Sequence, residues 1–171
     1  MQNANNLRLY FLDFTDAKTY LTASLFIIGN LLLPQLIHII PHGGIIWLPI
    51  YFFTLVAAYK YGWKAGLITA IASPLVNSLL FSMPVPAVLP VILFKSSLLA
   101  VIAAIVARHF KKASVLLLAL VVLSYQTLGS FMEWMICGNL NDAFQDFRMG
   151  MPGMLFQIFG GWFIINKLIR K

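Results

Sequence analysis

The sequence predicts an all-α membrane protein, a bundle of about six transmembrane helices with the N-terminus and C-terminus cytoplasmic. Three observations predict it. Charged residues make up only 10% of the 171 residues against 61% apolar, with a mean hydropathy of +0.89. A soluble domain carries roughly 25% charged residues, so a chain this poor in charge has to turn much of its surface to lipid. The apolar residues also come in stretches near the roughly 20 residues that a spanning helix needs. Lastly, lysine and arginine gather at every second loop.

Taken in order, Leu7, Tyr10, Phe11 and Phe14 recur at helical spacing, with Arg8, Asp13 and Lys18 off that stripe. Residues 1–18 therefore read as a short interfacial helix, or else as a frayed tail. The first span is expected over 19–40 with a kink at Pro34, and Pro41-His42-Gly43-Gly44 ends it. The second is expected over 45–59 and the third over 65–82, interrupted at Ser73-Pro74. Met83-Pro84-Val85-Pro86 cannot stay helical and makes the next turn. A fourth span over 87–107 stops at Arg108, His109, Lys111 and Lys112. A fifth over 114–137, a polar segment over 138–150 and a sixth span over 152–168 complete one domain over 1–171. No cleavable signal is expected, because the first 18 residues carry several polar and charged groups and no short apolar core.

The net charge of +7 reads as topology, because the basic residues sit at helix ends. Lys60 and Lys64 follow the second span, Arg108, Lys111 and Lys112 the fourth, and Lys167, Arg170 and Lys171 the sixth. The opposite loops hold only Arg148, beside Asp142 and Asp146. One cysteine, Cys137, excludes an internal disulfide and a cysteine-based metal site.

Polar residues within spans are costly and each is a candidate site. With both termini inside, His38, His42, Asn77, Lys95, Gln126, Glu133 and Gln157, with Trp47 and Trp134, all fall in the outer half. Lys95 lies about 12 Å down its span. This asymmetry describes a cup open to the exterior, whereas a pore needs polar lining along its whole length. Each residue also has a plainer role. Lys95 can snorkel, Glu133 can meet headgroups, and the tryptophans can belong to an aromatic belt. The histidines can cap or line the interface, and Asn77 and Gln157 can bond a neighbouring helix. Gly62, Gly66 and Ala70 lie four apart and leave a smooth helix face, for internal packing or for docking another membrane subunit.

On this plan the chain resembles the substrate-binding S components of energy-coupling factor (ECF) vitamin transporters. The resemblance rests on length, span count and orientation, and on the stretch with Pro41-His42-Gly43-Gly44, Trp47-Leu48-Pro49, Gly62-Trp63-Lys64-Ala65-Gly66, Ser73-Pro74 and Met83-Pro84. It implies capture of a small water-soluble vitamin or related micronutrient from outside, under the loops after spans 1, 3 and 5. It also implies a membrane-embedded T subunit as partner and, through it, two cytoplasmic ATPases. The family's Ala-x-x-x-Ala docking pattern on the first helix is not matched, since Ala23 is followed four positions later by Ile27, and the nearest spaced set is Thr15, Thr19 and Ala23. Met1-Gln2-Asn3 does not match the histidine segment of the family's nickel and cobalt members.

Two other classes stay open: a non-catalytic scaffold of the rod-shape-determining type, which needs no cup, and a small intramembrane enzyme. Against the latter, no Gly-x-Ser-x-Gly or His-Glu-x-x-His pattern occurs. No catalysis, cofactor, resident metal or nucleic-acid partner is expected, and the chain is expected in the cell membrane.

The orientation is testable with single introduced cysteines in a background lacking Cys137. Impermeant reagent applied to whole cells is expected to label positions in 41–44 and 138–150. Labelling at position 111 would reverse the topology.

Overall fold

The computed structural model describes residues 9, 10 and 12–169, and every regular element among them is helical. α1 (Ala17–Ile37), α2 (Gly43–Trp47) and α3 (Phe52–Tyr61) lead to α4 (Trp63–Phe81), α5 (Leu89–Phe110) and α6 (Val115–Cys137). Two short helices follow, α7 (Leu140–Ala143) and α8 (Gln145–Met149), and then α9 (Met151–Phe163) with a π-helical turn over Ile164–Leu168. Among the described residues four helices, α1, α4, α5 and α6, are long and apolar enough to cross a membrane. The protein is an all-α membrane protein.

The other two expected spans are composite. The second is broken at Leu48, which adopts left-handed backbone (φ 46°) before a 3-10 turn over Pro49–Tyr51. Pro49 disfavours right-handed helix at the residue before it, and here, unlike at Pro34 and Pro74, the chain leaves that region. The sixth changes from α to π geometry after Phe163. By contrast α1 and α4 run unbroken through Pro34 and Pro74. Leu7, Arg8 and Phe11 of the expected interfacial helix lie outside the described residues. Tyr10 and Leu12 instead extend along the end of α3, donating to the carbonyls of Lys60 (2.9 Å) and Tyr61 (3.4 Å).

α3 is the centre of the bundle. Leu55, Val56, Ala57 and Ala58 are all fully buried, and four consecutive helical residues, 100° apart, point to every side. α1, α4, α5 and α9 pack on α3, α6 closes the arc between α5 and α9, and α2 touches both α1 and α9 at the far end. α1 shows the division most plainly. Thr19, Ala23, Phe26, Asn30 and Pro34 are buried, while Leu21, Leu25, Ile28, Leu32 and Leu36 are exposed. Both stripes step by three or four, one facing protein and the other apolar enough for lipid. Thr19 and Ala23, part of the spaced set considered for docking, therefore face inward.

The stripe of Gly62, Gly66 and Ala70 is likewise interior, which corrects its assignment as a partner-docking face. All three are buried, and a Cβ on Gly66 would stand 2.4 Å from the Cβ and 2.6 Å from the Cα of Ala58 on α3. The face is smooth because two backbones nearly touch there.

Asn30 ties three helices. Its Nδ2 donates to Thr54 Oγ1 (3.1 Å) and Ser73 Oγ (3.2 Å), and its Oδ1 accepts from the Phe53 N–H (3.1 Å). Phe53 is the second residue of α3, where helical N–H groups have no partner of their own, so a side chain of α1 caps α3. Pro34 has no N–H and frees the carbonyl four residues earlier; that carbonyl, of Asn30, accepts instead from Asn77 Nδ2 on α4 at 2.8 Å. The proline leaves α1 continuous because a neighbouring helix satisfies what it releases.

The basic segments meet at one end of the bundle. Tyr59 Oη donates to the Lys112 carbonyl (2.7 Å), Asn166 Nδ2 donates to that of Ala113 (3.1 Å), and Lys64 pairs with Asp13. The Lys64 bond, and then the Phe14 N–H, hold the Asp13 carboxyl below its ordinary range. The segments 38–44, 82–88 and 138–150 lie at the opposite ends of the same helices.

Replacing Gly66 by leucine puts a branched side chain where Ala58 already sits, and overpacking of this kind destabilises by about 1–3 kcal/mol or more. Gly66→Leu is expected to lose folded protein on size exclusion in mild detergent, with Gly66→Ala intermediate. Wild-type yield and melting for Gly66→Leu would contradict the close α3–α4 contact.

Candidate functional site

The most unusual group in the membrane-spanning region is Lys95. It lies in the second turn of α5, and its side chain is 2% exposed. Snorkelling is therefore not its role. Its ammonium donates to Glu133 Oε2 on α6 at 2.6 Å and to Asp146 Oδ2 on α8 at 2.8 Å. An uncompensated lysine at this kind of depth costs about 3 kcal/mol on insertion scales; two short charge-assisted bonds offset that.

Local sequence explains how the lysine enters. Gln126, Gly129, Ser130 and Glu133 are spaced by three, one and three, so they share one face of α6. A Cβ on Gly129 would stand 2.6 Å from Cγ of Lys95. The missing side chain is thus a groove in which the lysine stem lies, with its tip at Glu133 one turn further on. Asp146 arrives from the other direction. α6 ends at Gly138 in left-handed backbone (φ 67°), a conformation glycine adopts freely, and the chain folds back as α7 and α8. Ala143 is fully buried and Phe147 packs on the core, so this polar segment is anchored and carries Asp146 to the lysine. Glu133 and Asp146 are 18% and 19% exposed, so the pair is reached from that end.

The helices that hold the ion cluster also carry buried uncharged polar groups. Gln126, Ser130, Ser96 and Gln157 are fully buried. Both amide atoms of Gln126, the hydroxyls of Ser130 and Ser96 and Nε2 of Gln157 have no hydrogen-bond partner among the described residues. Gln126 and Ser130 share with Gly129 the α6 face against which the lysine stem lies, whereas Ser96, next to Lys95 in sequence, turns to another side of α5. Gln157 is joined through Tyr125, whose hydroxyl donates to its Oε1 at 2.9 Å. The Tyr125 ring lies 5.5 Å from that of Tyr51, and Tyr51 is within electrostatic reach of Asp146 and Glu133. α5, α6, α8, α9 and the 3-10 turn before α3 all contribute. Buried polar atoms are nearly always paired in folded proteins, and several unpaired ones beside a buried charge mark a place built to hold something polar.

The structure thus brings together Lys95, Glu133, Gln126 and Gln157 of the expected set. The others have different work. Asn77 bonds the Asn30 carbonyl and joins α4 to α1. Trp47 packs edge-on against Phe156, and its backbone abuts Gly153 of α9. Trp134 is 39% exposed beside Phe131, the setting of a belt tryptophan. His38 Nδ1 is 2.7 Å from the Pro34 carbonyl at the end of α1. His42 is exposed at the start of α2. These five are positioned by helix packing and helix ends, not by the ion cluster.

Asp146, Ser130, Ser96, Gly129, Tyr51 and Tyr125 were not singled out from sequence. Ser130 and Gly129 carry a readable signal, since they complete the Gln126–Glu133 face. Asp146 carries none, because its position depends on how α7 and α8 fold back.

Fold and site together define an integral membrane protein with a charged polar centre buried toward one end. No protein-family model, curated protein or solved structure matches the chain.

Proposed function

We propose that this protein is the membrane-embedded substrate-binding subunit of an ECF-type importer in the cell membrane, capturing a small water-soluble vitamin or related micronutrient from outside. The observation that carries the reading is the Lys95–Glu133–Asp146 cluster, with the unpartnered polar atoms of Gln126 and Ser130 on the α6 face against which the lysine stem lies. A non-catalytic scaffold has no use for such groups and would pair them with one another or replace them by apolar residues. The cluster lies away from the basic end, which the positive-inside rule assigns to the cytoplasm, so it opens toward the supply of nutrient. Its bounds in α5, α6 and α9 come from membrane helices, while α8 covers it. Release into the cell then requires the whole subunit to reorient, which a T subunit and two ATPases would drive. With Gly62, Gly66 and Ala70 packed inside, that T subunit meets another face.

The test is a melting-temperature screen of the detergent-purified protein against the water-soluble vitamins, one at a time. A ligand at 100 times its Kd adds about 2.7 kcal/mol, or roughly 5–10 °C for a domain of this size. At least one such shift is expected, and it is expected to be lost in Lys95→Ala. If none of the vitamins moves the transition, the transporter reading falls.

A further inference from the structure

We infer that the ligand of this site carries a positive charge: it is an organic cation of vitamin size, a protonated amine or a quaternary nitrogen, with at least one acceptor group. The inference rests on the reading of the cluster as a substrate site and deepens it. Lysine and glutamate alone form a neutral pair, which by itself suits a ligand with a carboxylate or phosphate for the lysine. Asp146 changes the balance. One ammonium is shared by two carboxylates, so the cluster holds one more negative than positive charge. In a low-dielectric surround an unbalanced charge is expensive, and a ligand anion would add to the imbalance while competing with two carboxylates for one lysine. A ligand cation removes it.

The neighbouring charges do not supply the balance. Arg148 lies two residues beyond Asp146 in α8, a spacing that turns a side chain to another face, and it is exposed. Asp142 is also exposed and bonds Asn139. The carboxylates are the more open members, at 18% and 19%, whereas the lysine is 2% exposed. A ligand approaching from that end therefore meets the negative groups first. An ammonium has three N–H groups, and Lys95 uses two on the carboxylates. The third, with the amide of Gln126 and the hydroxyl of Ser130, can serve the uncharged acceptors and donors of the ligand.

The experiment is a set of equilibrium titrations on the full-length purified protein, with probes sorted by charge. Thiamine, choline and pyridoxamine are the cationic probes, nicotinamide and riboflavin the neutral ones, and pantothenate, biotin and ascorbate the anionic ones. The tightest binder is expected among the cations. Asp146→Asn and Glu133→Gln, which remove a negative charge at constant shape, are each expected to weaken it at least tenfold, while Asp146→Glu retains most of the affinity. A neutral or anionic probe binding tightest in the wild-type protein overturns the inference and leaves the transporter reading standing. Binding of a cation unchanged in both neutralised variants overturns it as well. Binding by none of the probes removes the transporter reading and the inference together. The comparison among probes uses the wild-type protein, so poor folding of a variant does not blunt it.

Discussion

A lysine ammonium held between two carboxylates inside a hydrophobic bundle organises this end of the molecule. Glu133 and Asp146 offset the charge of the buried Lys95, and both remain partly open to solvent. The three groups come from α5, α6 and α8, so their pairing fixes how the fold-back segment lies on the membrane helices. In hydrocarbon there is no general apolar drive between helices, and such polar contacts and close backbone approaches determine which faces meet. Gly129 is the complement of Lys95: it removes a side chain so that the lysine stem can lie against α6.

A second polar hub works at the other junction of the bundle. Asn30 reaches Thr54, Ser73 and the Phe53 N–H, and its own carbonyl, released by Pro34, is taken by Asn77. Unlike the lysine cluster, this hub meets most of its bonding capacity from within the protein. The contrast separates a structural network from a candidate binding site. Among the described residues, one buried acceptor around Asn30, Oδ1 of Asn77, lacks a partner, whereas on the α6 face against Lys95 both amide atoms of Gln126 and the Ser130 hydroxyl do.

The membrane class, the long helices and the outer-half depth shared by Lys95 and Glu133 were legible in the sequence, since hydropathy and spacing along a helix are local properties. The Leu48–Pro49 break was also legible in principle, because the constraint acts on the adjoining residue, yet the apolar run through Ile45, Ile46 and Trp47 masks it. Helix rotation was not legible. It decides that Gly66 faces Ala58 rather than a partner, and that Asn77 meets Asn30 rather than the lysine. Nor was Asp146 legible as a partner of Lys95: 51 residues separate them, and only the path of α7 and α8 joins them. That one residue changes the charge of the site and so the chemistry it favours.

The central claim is that Lys95 and Asp146 are coupled across the fold-back segment. A double-mutant cycle with Lys95→Met, Asp146→Asn and the pair, followed by unfolding in mixed detergent micelles, measures this directly. Contacting residues show interaction energies of about 0.5–3 kcal/mol, and a value of about 1 kcal/mol or more is expected here, with the double variant less destabilised than the sum of the single ones. Effects that add to within about 0.3–0.5 kcal/mol, the behaviour of distant sites, would contradict the account.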